Sequence, residues 1–162
     1  MGISALEEKF INYTRDCSEN LPQLKALARQ ISGLQKQMRL ILDEITPSLC
    51  PQCTTKCCSG MPIEGWFTAE DYFAFRMLYD VPKVSRDSHT DWRDCSFLEI
   101  EGCSLPEDMR PLACVKVNCT ILNTVLAEQG KLAAFKRLCA HVDDIQTQLW
   151  KIVNADNGND IV

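Results

Sequence analysis

The chain has 162 residues, 46% of them hydrophobic, and a net charge of −5. This length holds one domain, the apolar content excludes global disorder, and the acidic balance excludes a protein that coats nucleic acid through bulk electrostatics. No apolar run reaches bilayer-spanning length, so no membrane association is expected. The opening Met1-Gly2-Ile3-Ser4-Ala5-Leu6 lacks the basic and apolar parts of a secretory signal, which makes the cytoplasm the expected location.

Residues 3–16 read as a first helix, and Asn20-Leu21-Pro22 marks a break and restart, because proline is tolerated in a first helical turn. The second helix is expected to run to about Thr46. Its Leu24, Leu27, Ile31, Leu34, Met38, Ile41 and Ile45 alternate three- and four-residue steps, a heptad stripe suited to a hairpin or coiled coil. The other face carries Lys25, Arg29, Lys36 and Arg39 and is expected to be solvated, with Pro47 ending the helix. Residues 1–46 thus read as an N-terminal helical hairpin.

Thr68 has the character of a helix cap, followed by Glu70 and Asp71 in a first turn and an apolar run through Leu78 that stops before Pro82. Residues 83–94 are polar and read as a loop, with His89 as a solvated loop histidine. Cys95-Ser96-Phe97-Leu98-Glu99-Ile100 suits turns or short strands. Ile121, Leu122, Val125 and Leu126 mark another helix, and Gln129-Gly130 a turn. Leu132, Phe135, Leu138, Val142, Ile145, Leu149 and Ile152 then repeat the heptad rhythm, with His141 expected to be partly buried. The fold class is therefore mostly α: a small helical domain with a cysteine-rich metal-binding centre. Its long amphipathic N- and C-terminal helices pack on each other. The units are 1–46, the cysteine-cluster region 47–119, and the C-terminal helices and tail 120–162, all in one compact body. The same stripes could instead pair two chains as a homodimer or dock a protein partner.

Eight of the ten cysteines lie between Cys50 and Cys119, while Cys17 and Cys139 stand alone on helical stretches and read as small core residues. A disulfide scaffold spreads its bridges over a short chain with little core. Confinement of the cysteines to the middle of a chain with long amphipathic helices favours metal. In Cys50-Pro51-Gln52-Cys53 the two-residue spacing lets both thiolates reach one metal through a tight backbone knuckle. Cys57 and Cys58 are adjacent, so their side chains diverge and one of them faces a second centre or the core. Cys95 and Cys103 form a second group. Cys114 and Cys119 follow in Arg110-Pro111-Leu112-Ala113-Cys114-Val115-Lys116-Val117-Asn118-Cys119. Pro111 suits a first helical turn, which would set Cys114 near the positive end of a helix. On one regular helix Cys114 and Cys119 would point apart and serve different sites, or Cys119 would be structural. Arg110 and Lys56 are placed to offset the charge of several thiolates, and Trp66 and Trp92 to pack over the metal.

The order Cys50, Cys53, Cys57-Cys58, Cys95-x-Phe97-Leu98, Gly102-Cys103 and Arg110-Pro111-x-x-Cys114 resembles the CxxCxxCC (YkgJ-type) cysteine-cluster family, described as zinc- or iron-chelating. Flagellin lysine-N-methylases carry a similar cysteine region. The resemblance covers about residues 47–119, and three residues rather than two separate Cys53 from the doublet. It implies a metal centre, with an iron–sulfur cluster of the [4Fe–4S] type favoured over Zn²⁺. Metal ligands are sought among Cys50, Cys53, Cys57, Cys58, Cys95, Cys103, Cys114 and Cys119. The functions considered are an iron–sulfur redox or accessory module, a zinc-stabilised helical interaction protein, and a protein lysine methylase. No G-x-G-x-x-G loop supports the last.

Overall fold

The computed structural model describes residues 2–49, 67–83, 95–99, 102–116 and 119–155. Its architecture is mostly helical. In chain order come α1 (Ile3–Asp16), a 3-10 turn (Ser18–Asn20), α2 (Leu21–Asp43), α3 (Thr46–Leu49), α4 (Ala69–Leu78), a two-residue hairpin of β1 (Leu98–Glu99) and β2 (Gly102–Cys103), α5 (Leu112–Lys116), α6 (Thr120–Glu128) and α7 (Leu132–Ala155). Among the described residues, no helix is long and apolar enough to cross a membrane.

The core is a three-helix arrangement in which α2 packs on both α7 and α4, and α4 also touches α7. The two heptad stripes thus meet within one chain. Leu24, Leu27, Ile31, Leu34 and Met38 of α2 are buried, as are Phe135, Val142, Ile145 and Leu149 of α7. Each fully buried leucine or isoleucine contributes about 1.5–3 kcal/mol. Because α2 serves two neighbours, its buried face is wider than a heptad seam and takes in Ala28, Ser32 and Gln35.

The second helix ends earlier than its periodicity suggests, and Pro47 does not terminate it. After Asp43 the chain turns and restarts as α3, with Pro47 in the new first turn. There proline's missing N–H costs nothing, since first-turn donors have no partner inside the helix.

α4 opens as predicted: Thr68 is the cap, its side chain accepting the Asp71 N–H. Four consecutive residues, Tyr72, Phe73, Ala74 and Phe75, are buried, so α4 is enclosed on all sides. α1 lies against it. Phe10 and Tyr13 each meet the Phe73 ring edge-on at 5.4 Å, and the Arg76 guanidinium sits 4.8 Å above the Phe10 ring. At the other end of the chain α6 closes in a Schellman turn. Gly130, with φ 70°, donates to the Ala127 carbonyl, and Lys131 donates to the Leu126 carbonyl at 2.8 Å.

Three side chains depart from expectation. His141 is exposed on α7 rather than partly buried. The basic face of α2 is only partly solvated: Lys36 binds Asp108 at 3.1 Å, and Arg39 binds Asp43 and Glu107.

Candidate metal centre

Within the cysteine region the structure describes residues 95–99, 102–116 and 119, and Cys95, Cys103 and Cys114 pack in or against the core. Cys95 is buried just before β1, and the Phe97 N–H points at its Sγ at 3.5 Å. Phe97 is itself buried and meets Phe67 edge-on at 5.8 Å, which ties this turn to the chain entering α4. The hairpin pairs Leu98 with Cys103 and Glu99 with Gly102. It closes where Ser104 donates to the Phe97 carbonyl through both its N–H at 2.8 Å and its hydroxyl at 3.2 Å. Cys103 follows in β2, half-buried against the core.

From there the chain passes Glu107 and Asp108 and is fastened to α2 and α4. Asp108 accepts from Ser32 and Tyr79, each at 2.7 Å, in addition to its ion pair with Lys36. Burial alone would raise its carboxyl. The hydrogen bonds from Tyr79, Ser32 and Lys36 outweigh it and hold the group below the usual carboxylate range.

Arg110 and Leu112, on either side of Pro111, are gripped by their backbones. Gln35 of α2 accepts the Arg110 N–H at 2.9 Å and donates to the Arg110 carbonyl at 2.8 Å. Asp71 of α4 accepts the Leu112 N–H at 3.0 Å and also takes a hydrogen bond from Gln146 of α7. Gln35 is 1% exposed and Asp71 6%. Burial pushes the Asp71 carboxyl up to about 6, against the lowering effect of its bonds to Leu112, Gln146 and Thr68. Cys114 lies two residues beyond this grip, in α5. The Nε of Arg110 is buried and has no acceptor among the described residues.

The helix holding Cys114 is short and ends at Lys116, so Cys114 and Cys119 do not share one regular helix. Cys119 instead caps α6, and its Sγ accepts the Leu122 N–H at 3.4 Å. The Lys116 ammonium binds Asp143, tying α5 to α7.

Cys95, Cys103 and Cys114 therefore pack in or against the core, while Cys119 is exposed at the start of α6. Among the described residues, no three His, Cys, Asp or Glu side chains converge into a group able to hold a metal. Cys50, Cys53, Cys57 and Cys58, together with Lys56, Trp66, His89 and Trp92, lie outside the described residues. Cys139 is buried in α7, and its thiol is pushed up chiefly by burial, as befits a core residue. Cys17 is half-buried against the same core at the end of α1. Sequence reasoning missed Gln35, Asp71 and Gln146. Gln35 is the one of them with a sequence signal, a polar residue inside the apolar stripe between Leu34 and Met38.

No protein-family model matches the chain, and no curated protein or solved structure matches it either.

Proposed function

We propose that the protein is a metal-binding cysteine-cluster protein that carries an iron–sulfur centre and acts as a cytoplasmic redox or accessory module. The carrying observation is the Phe97 N–H directed at the Cys95 sulfur, two residues ahead of it. An amide aimed at a thiolate in a tight turn is the local geometry that metal-binding knuckles use, because it offsets charge on the sulfur. The sulfur of Cys119 also receives an amide, from Leu122 three residues on, as the cap of α6.

The residues fit such a group in their chemistry. The donor set is thiolate-rich, and the buried Nε of Arg110, without an acceptor among the described residues, supplies a donor for a negatively charged centre. Cys95, Cys103, Cys114 and Cys119 are the candidate ligands from the described segment. Cys50, Cys53 and Cys57 or Cys58 are the further ligands in this reading, on the strength of their spacing in the sequence. A bound cluster would supply one-electron transfer, and Zn²⁺ in its place would supply structural cross-linking.

The test is anaerobic purification followed by visible absorption with iron, sulfide and zinc analysis. A coloured protein with iron and sulfide in stoichiometric amounts supports the cluster. Colourless protein with one or more zinc ions makes the zinc-stabilised interaction protein the function. Protein with neither metal overturns the proposal.

A further inference from the structure

Pro111 has no N–H, so the backbone donors flanking it are those of Arg110 and Leu112. Both are captured by buried side chains from two different helices, Gln35 on α2 and Asp71 on α4, and the Arg110 carbonyl is captured as well. A glutamine and an aspartate inside a helical core are costly unless fully paired. At position 35 an apolar side chain would continue the stripe of α2 and fill the same space, so packing does not account for the amide. What Gln35 and Asp71 do that leucine and phenylalanine cannot is set the backbone position of the residues leading into Cys114. Gln146 of α7 holds Asp71 in turn, so all three core helices fix this point.

We propose that Gln35 and Asp71 are positioning residues of the metal site, holding the backbone on both sides of Pro111 so that Cys114 is presented to the metal. This role rests on the metal-binding function proposed above. Groups that orient ligands from outside the coordination sphere change metal affinity by about 10–100-fold when removed.

The experiment is an anaerobic cobalt(II) titration of the full chain, read by thiolate-to-cobalt absorption, with the thermal unfolding of each metal-free protein measured alongside. Gln35→Met and Asp71→Ala are expected to weaken cobalt binding by about 10–100-fold. Asp71→Asn keeps an acceptor for the Leu112 N–H and is expected to bind as the native chain does. Lowered melting temperatures with unchanged cobalt affinity in Gln35→Met and Asp71→Ala would reduce both residues to a structural role and overturn the proposal. Should Gln35→Met fail to fold, the Asp71 pair decides, since equal affinity of the Ala and Asn variants also overturns it. Native protein that takes up no cobalt is a separate result, visible before any variant is compared. It refutes the metal-binding function and this role with it.

Discussion

Glu7 of α1 and Arg76 of α4 form a two-point ion pair, Nε to Oε2 at 2.8 Å and Nη2 to Oε1 at 3.2 Å. The Tyr72 hydroxyl donates to the same carboxylate at 2.7 Å, and Arg76 donates onward to the Tyr79 carbonyl. Burial works against the charged carboxylate, but the bonds from Arg76 and Tyr72 win and hold Glu7 below its ordinary value of 4.5. This clasp fastens the N-terminal helix to α4, within the span 47–119 that holds most of the cysteines.

Removing the clasp leaves Arg76 and Tyr72 without their acceptor at a site that is largely out of water. Glu7→Ala is expected to cost about 1–3 kcal/mol in urea unfolding at neutral pH. Because the folded pKa is depressed, the contribution of Glu7 is present above its unfolded value and is lost as pH falls through the folded one. The difference between native and variant protein should therefore shrink in acid. A constant difference down to low pH would refute the electrostatic origin.

Asp71 has the opposite sign. Its carboxyl moves from 3.8 to about 6, so between these values the unfolded chain is ionised while the folded protein holds the proton. Folding takes up a proton there, and the native protein loses stability as pH rises through this interval. Asp71→Asn should remove that slope and be at least as stable as the native chain at pH ~7, since the amide keeps an acceptor for Leu112. Asp71→Ala should instead lose about 1–3 kcal/mol, because the Leu112 N–H is left buried and unpaired. A pH–stability curve unchanged in Asp71→Asn would show that another group carries the slope.

Gly130 sits at φ 70° with open space where a Cβ would go. Gly130→Ala meets no clash, so its cost is the left-handed backbone alone, about 1 kcal/mol. Gly130→Asn should cost less, because asparagine tolerates that region. Thermal unfolding of the two variants checks the order.

Cysteine substitutions separate ligands from core. Cys53→Ser is expected to lose metal and stability, whereas Cys139→Ser in α7 keeps its metal. Cys119→Ser retains an oxygen able to accept the Leu122 N–H, so α6 stays capped and a fall in metal content would mark Cys119 as a ligand. Elemental analysis decides each case, and full metal content in Cys53→Ser would remove it from the ligand set.

Much of the helical layout was legible from local rules. The cap at Thr68, the turn at Gly130 and the stripes on α2 and α7 all follow from spacing and short-range sterics, which neighbouring residues dictate by themselves. The stop at Asp43 was misplaced because Pro47 reads as a terminator when a helix restarting around it is equally compatible with its missing N–H. The clustering of the cysteines along the chain was legible from their spacing. The split between α5 and α6 that separates Cys114 from Cys119 was not.

The sequence by itself determined that this is a helical chain with eight of its ten cysteines confined to the middle, because periodicity, capping and cysteine spacing are local quantities. Only the tertiary structure decided that α1 leans on α4 through Glu7 and Arg76, and that Gln35 and Asp71 converge on the backbone around Pro111. Those pairs are 69, 75 and 41 residues apart along the chain. Nothing in a local pattern specifies which buried polar side chain finds which backbone group; the packing of α2, α4 and α7 makes that choice.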